Sequence, residues 1–158
     1  SFAKYNIVPS VQTTHATSDM DWAEERLGAD RMEGAYSYKT LLDQLGWIPN
    51  GSDFPVEDIN PLYGFFAAVA RKDHEGYPEN GFRIEEAMSR EEALRAMTIW
   101  AAKASFEEHF KGSLEVGKLA DLVITQEDIM EIDELAIPEV KVAMTISNGE
   151  LVYANSLQ

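Results

Sequence analysis

The chain has 158 residues, 45% of them hydrophobic, which is enough for one globular domain with a buried core. Its 13 basic and 28 acidic residues give a net charge of 13 − 28 = −15, which repels phosphate and anionic lipid and predicts that neither nucleic acid nor a membrane is a partner. The lack of cysteine excludes disulfides, thiolate catalysis and cysteine-bound zinc. No signal-peptide pattern opens the chain, and its localisation is left open.

The first segments alternate between strand and helix patterns. Residues 6–12 are short, apolar and β-branched, which predicts a buried strand despite an internal proline. A polar loop follows, and Ser18 or Asp19 is placed to cap a helix that ends at Gly28. A second helix is predicted over residues 37–45, with its leucines on one face.

The same order then repeats. Residues 47–52 predict a second strand, which ends in a Gly/Ser turn. Asn60 is a typical N-cap residue, and proline, as at Pro61, is favoured at the first position of a helix. The pair therefore predicts a helix through the apolar run PLYGFFAAVAR. Residues 72–83 are dense in Gly, Pro, Asn and charge, which predicts an exposed loop.

The most distinct helix start is the capping box that Ser89 and Glu92 form. One helix is predicted behind it, and spacings of three and four predict that it buries Leu94, Met97, Ala101 and Ala104.

From residue 111 the pattern changes to β. KGSLEVGK is a glycine-rich turn, LADLVIT predicts a strand, and Asn148-Gly149 between two alternating segments is a strong hairpin signal. Residues 112–118 also match the start of the phosphate-loop pattern GxxxxGK. Leu119 stands where that pattern needs a hydroxyl for magnesium, and the segment follows a helix, so we discard a nucleotide site.

Asp53 and His15 are the two candidate functional residues, because each follows one of the predicted strands. Asp53 has two readings: an Asx-type turn, or a catalytic carboxylate at the end of a parallel barrel strand. His15 is either a polar loop residue or a substrate-contacting group at the same end. His74 and His109 need no functional role, and the three histidines form no HxH or HExxH motif.

Taken together, the segments QTTHATSD, NGSDFPVEDINPLYGFFAAVARKD, SREEALRAMTIWAAKASFEE and KGSLEVGKLADLVI resemble the C-terminal part of the metal-dependent amidohydrolase superfamily, in its family-3 branch. The resemblance implies an α/β fold: the last two βα units and following helices of a TIM-like (β/α)8 barrel over residues 1–110, and strands of a small composite β-sandwich over residues 111–158. It also implies that Asp53 binds the metal or the attacking water and takes its proton, and that His15 contacts the substrate. The family usually has proline where Thr13 stands.

The resemblance further implies a hydrolase that cleaves amide-like C–N bonds of a small molecule by a metal-activated water, with zinc as the expected ion. The family's HxH motif, its bridging lysine or glutamate and its other metal histidines have no counterpart here. We therefore expect a C-terminal fragment that is inactive alone and that binds the missing N-terminal part or itself. The alternative is a non-enzymatic α+β interaction or dimerisation module that keeps this tail as a scaffold.

Overall fold

The computed structural model describes residues 2–155, in which the α-helices precede the strands along the chain. The α-helices are α1 (His15–Ser18), α2 (Met20–Leu27), α3 (Ala29–Met32), α4 (Tyr38–Leu45), α5 (Pro61–Ala70), α6 (Arg90–Met97) and α7 (Ile99–Ala104). Short 3-10 helices span Ala3–Tyr5, Ile84–Glu86 and Glu134–Glu139. The strands are β1 (Leu122–Thr125), β2 (Val142–Ser147) and β3 (Glu150–Ala154). Within the described range, no helix is long and apolar enough to cross a membrane.

Local sequence signals explain where several helices begin and end. The side chain of Asn60 accepts a hydrogen bond from the backbone N–H of Leu62 at 3.1 Å, and Pro61 is the first residue of α5. The reciprocal capping box of Ser89 and Glu92 begins α6. Gly46 ends α4 in the left-handed conformation, at φ 85°. These predictions are confirmed.

The cap predicted for the helix before Gly28 is wrong in its chemistry. Asp19 precedes α2, but its side chain makes no capping hydrogen bond. Its carboxylate accepts instead from the hydroxyl of Tyr36 at 2.9 Å, which ties α2 to the segment before α4. The Asp19 carboxylate therefore binds Tyr36, a distant residue, and not the N-terminus of α2 that the local pattern predicted.

The single helix predicted behind Ser89 is also wrong, because it breaks at Thr98, which has φ −123° and ψ −96°. The hydroxyl of Thr98 donates to the carbonyl of Leu94 at 2.6 Å, a local bond that competes with helix continuation. The break changes which side chains face the core. Ala93, Ala96 and Ala102 are buried; Leu94, Met97 and Ala101 are half-buried, and Ala104 is exposed.

The two predicted strands, 6–12 and 47–52, are reduced to one parallel bridge between Val11 and Asn50. The N–H of Val11 donates to the carbonyl of Pro49 at 3.0 Å, and the N–H of Gly51 donates to the carbonyl of Val11 at 2.9 Å. The two segments therefore run parallel, as predicted, but the prediction of two full strands is wrong. A strand of a parallel barrel needs hydrogen-bonded strands on both edges. Among the described residues each segment pairs as a strand only with the other, and the N–H of Asn50 donates instead to the carbonyl of Ala96 in α6 at 3.0 Å.

The β tail forms a three-stranded antiparallel sheet in the order β1-β2-β3. Asn148 and Gly149 have φ of 50° and 81°, as a type I′ turn requires, so the predicted hairpin is confirmed. The predicted strand LADLVIT is confirmed over Leu122–Thr125. Two parts were predicted, a barrel part over residues 1–110 and a β-sandwich part over residues 111–158. Ser1 and residues 156–158 of these parts lie outside the described range. The boundary between the two parts stays a prediction.

Helix α5 is the centre of the core. Its Phe65 and Phe66 are buried together with Ile48, which precedes the bridge, and with Ile137 from the tail. Arg71, directly after α5, is also fully buried. Its guanidinium donates to the carbonyl oxygens of Phe82 and Tyr36, and burial lowers its pKa.

Candidate functional site

The parallel bridge places the two candidate residues at the same end of the core. The chain leaves Val11 and enters α1 at His15, and it leaves Asn50 and reaches Asp53. Because the two segments run in the same direction, the loops that follow them emerge side by side. The site is therefore built by residues that are 38 positions apart in the chain.

The imidazole Nε2 of His15 lies 3.2 Å from Oδ2 of Asp53. The His15 side chain is 25% exposed and that of Asp53 is 47% exposed, so solvent or a ligand can reach the pair. Asp53 has φ 58°, in the left-handed region that aspartate adopts more readily than most residues. Such backbone conformations are concentrated at functional sites, because the surrounding structure must stabilise them.

A second carboxylate, which the sequence did not single out, faces the other nitrogen of the same ring. Oε1 of Glu57 lies 3.5 Å from Nδ1 of His15, and the Glu57 side chain is only 17% exposed. The hydroxyl of Ser18 donates to that same oxygen at 2.6 Å. Glu57 lies four residues after Asp53 on the same loop. This short spacing is the one signal in the sequence that could have indicated Glu57 as a site residue.

A buried polar clasp, formed by Thr13, Asn50 and Gly64, lies behind this pair. The N–H of Thr13 donates to Oδ1 of Asn50 at 3.0 Å, and Nδ2 of Asn50 donates to the Thr13 hydroxyl at 2.9 Å. That hydroxyl donates in turn to the carbonyl of Gly64 at 2.6 Å. The clasp uses the backbone N–H of Thr13, which a proline would lack. It fixes the two loop origins against each other and against α5.

Two tyrosines stabilise the surroundings as neutral phenols. Burial is the main reason why the pKa of Tyr36 is raised to about 12, and its hydrogen bond to Asp19 acts in the same direction. Burial also raises the pKa of Tyr38, whose hydroxyl donates to the carbonyl of Gln12 at 3.1 Å. Both groups are therefore hydrogen-bond donors at neutral pH.

The residues present do not complete a metal centre. Within residues 2–155 there is no group of three or more His, Asp or Glu side chains arranged to hold an ion. Zinc sites use three or four protein ligands, and Asp53 offers one carboxylate. Any metal at this place would need ligands from outside the described part of the chain.

The other polar candidates lie outside this site. The ring of His74 packs against that of Tyr63, with 3.9 Å between centroids and 48° between the ring planes, and the His109 side chain is 86% exposed. A Cβ at Gly112 would lie 2.7 Å from Cβ of Ala102, so the first glycine of GxxxxGK permits a close approach to α7. The ammonium group of Lys118 bonds to Ser113 within the turn itself.

Comparisons with known proteins identify the family of the chain. Residues 1–153 match the model of the family described as "Amidohydrolase family". The chain is 31% identical over 156 residues to "Putative amidohydrolase YtcJ" of Bacillus subtilis (strain 168), covering 98% of this chain and 29% of that protein. It is 31% identical over 118 residues to the N-substituted formamide deformylase of Arthrobacter pascens, covering 75% of this chain and 21% of that protein.

A solved structure extends the likeness to the fold. An uncharacterized metal-dependent hydrolase from Pyrococcus horikoshii OT3 aligns with a TM-score of 0.71 and 26% identity, over 84% of this chain and 26% of that one. The chain thus spans less than a third of the length of these proteins. Its fold is the C-terminal part of their TIM-like barrel, followed by strands of the small β domain.

Proposed function

Because this chain belongs to the amidohydrolase family, we propose that it is the C-terminal part of a metal-dependent hydrolase that cleaves C–N bonds of small molecules. The observation that carries the proposal is the 3.2 Å contact between His15 and Asp53 where two parallel segments end. In barrel enzymes, that end of the strands carries the chemistry. The relative that acts on N-substituted formamides supports an amide-like substrate.

Each residue of the pair has a separate role in this proposal. Asp53 is the more exposed of the two, and its carboxylate would be one ligand of the metal and would accept a proton from the attacking water. His15 is held beside it, and the N–H of its Nε2, which faces Asp53 at 3.2 Å, is in this proposal shared with the substrate oxygen on which negative charge develops. When bound with ligands from the rest of the protein, a divalent ion, zinc in our proposal, would supply the Lewis acidity that makes water nucleophilic at neutral pH.

The decisive experiment uses the longer protein that contains this chain. Asp53→Asn keeps the shape of the side chain and removes the proton acceptor, so we expect kcat to fall by about 10²- to 10⁴-fold. The matched control is His74→Gln, which alters a histidine packed against Tyr63 and is expected to leave kcat within about twofold. Full activity in Asp53→Asn would refute the proposal.

The isolated chain is expected to be inactive, because its described residues include no group of three or more His, Asp or Glu side chains arranged to hold a metal. Zinc titrated into the isolated chain should give no hydrolysis of a formamide or amide probe. Metal-dependent turnover by residues 1–158 alone would contradict this part of the proposal.

We also propose that the chain's partner is the remainder of the same protein or, without it, a second copy. Large apolar side chains are exposed on and before the tail sheet: Phe106, Leu114, Val116, Val123, Leu151 and Val152. Such surfaces favour association. The non-enzymatic alternative, a dimerisation module, would use the same surface. A sharp monomer in sedimentation at micromolar concentration would contradict self-association.

A further inference from the structure

Glu57 is partly buried, whereas Asp53 on the same loop is exposed. Its side chain is 17% exposed, against 47% for Asp53, and it faces Nδ1 of His15 on the side away from the more accessible carboxylate. A carboxylate in such a place needs partners. The hydroxyl of Ser18 is one of them, at 2.6 Å, and the His15 ring is the other.

We propose that Glu57, braced by Ser18, is a positioning residue that selects the orientation in which His15 faces Asp53. The inference rests on the proposed function in so far as His15 and Asp53 form its site. Glu57 does not touch the substrate in this proposal, and it acts only through the ring of His15.

The argument comes from the shape of the imidazole. Rotating the ring by half a turn exchanges each nitrogen with a carbon, so a rotated His15 would present C–H groups to both carboxylates. In the observed orientation Nε2 is 3.2 Å from Asp53 and Nδ1 is 3.5 Å from Glu57. With only one carboxylate, the ring would be held at a single nitrogen and could rotate about that contact. Two carboxylates on opposite edges hold the ring at both nitrogens.

Ser18 matters because it holds the carboxylate in turn. Ser18 is the last residue of α1, which begins at His15, so the helix that carries the ring also carries the hydroxyl that binds Glu57. A histidine whose second nitrogen has a fixed partner is restricted in tautomer and in ring orientation. The loop with Asp53 and Glu57 is thus joined to α1 by three side-chain contacts.

The test is a long-range ¹H–¹⁵N NMR spectrum of the histidine rings, recorded at one pH on the 158-residue chain. The chain has only three histidines, His15, His74 and His109, which makes assignment simple. Glu57→Ala is expected to shift both ring nitrogens of His15 and to leave the other two rings unchanged. Glu57→Gln, which keeps an acceptor at the same place, is expected to shift them less.

The matched control is Asp58→Asn, which removes the same charge from the next, exposed position and keeps an oxygen to accept from the N–H of Asn60, as Asp58 does at 2.8 Å. If His15 shifts no more in Glu57→Ala than in Asp58→Asn, the proposal is overturned. If Glu57→Ala does not fold, Ser18→Ala is the test. It removes the hydroxyl that binds Glu57, and this loss must also shift the ring nitrogens of His15. Unchanged signals there would overturn the proposal.

A second readout separates this inference from the proposed function. In the longer, active protein, Glu57→Ala is expected to lower kcat about tenfold with little change in KM. If the NMR signals move but Asp53→Asn is fully active, the proposed function fails and the positioning role stands. If the signals do not move, the positioning role fails whatever the activity of Asp53→Asn.

Discussion

The polar clasp of Thr13, Asn50 and Gly64 gives a sharp test of what holds the two loop origins together. Asn50→Ala removes both side-chain bonds to Thr13, at 3.0 Å and 2.9 Å. The Thr13 hydroxyl keeps its bond to the carbonyl of Gly64 at 2.6 Å, so one group loses its partner: the N–H of Thr13, a fully buried residue.

The magnitude follows from that single orphaned donor. A buried hydrogen-bonding group left without a partner costs about 1–3 kcal/mol. Water that entered the space left by the amide would move the cost to the lower end. We therefore expect Asn50→Ala to lower the free energy of unfolding by about 2 kcal/mol, or about 30-fold in the equilibrium constant.

Urea unfolding followed by tryptophan fluorescence measures the change. The matched control is Asn80→Ala, an exposed asparagine, which is expected to stay within about 0.5 kcal/mol of the parent chain. Thr13→Ser keeps the N–H and the hydroxyl and should lose far less than Asn50→Ala. A loss below about 0.5 kcal/mol in Asn50→Ala would refute the view that the Thr13 N–H depends on this side chain.

Three further predictions concern parts of the chain away from the site. Ser89→Ala removes the N-terminal cap of α6 and should cost about 1 kcal/mol in thermal unfolding; an unchanged Tm would contradict it. Gly112→Ala should cost about 1–3 kcal/mol in urea unfolding, because its Cβ would approach that of Ala102 to 2.7 Å at a φ of 91°; a neutral result would mean that the turn moves freely from α7. Burial alone raises the pKa of the Glu92 carboxyl, but hydrogen bonds from Lys39 and Ser89 outweigh it and hold the pKa below the usual 4.5. The ionised Glu92 therefore stabilises the fold above about pH 4.5, and this contribution is lost as pH falls through the lower, folded-state pKa. Lys39→Met should flatten that acid-side loss of stability, and an unchanged pH profile would count against the ion pair.

Elements specified by neighbouring residues could be predicted from the sequence. The capping box at Ser89, the cap and proline at Asn60 and Pro61, and the Asn148-Gly149 turn each need only a few adjacent residues. Elements that depend on distant partners were predicted less well. Residues 6–12 and 47–52 have the composition of strands, but a strand is defined by the neighbours to which it bonds.

The same contrast applies to the site. The sequence, through a resemblance, identified His15 and Asp53, and the structure brings them within 3.2 Å. The sequence did not identify Glu57, because its neighbours in the polar loop do not indicate that it contacts the ring of His15, 42 positions earlier. Asn50 was overlooked for a similar reason, since asparagine near glycine is ordinary turn chemistry. Their roles become visible only when the two loops are side by side.

The distribution of local and distant contacts also has a consequence for the order in which the molecule assembles. The β2–β3 hairpin closes over a two-residue turn, an event of about 1–10 μs in isolated hairpins. The clasp joins residues 37 and 51 positions apart, so it must wait until long loops have closed around α5. We expect the arrangement of His15 and Asp53 to form late in folding and to be lost early under stress, while the tail hairpin persists.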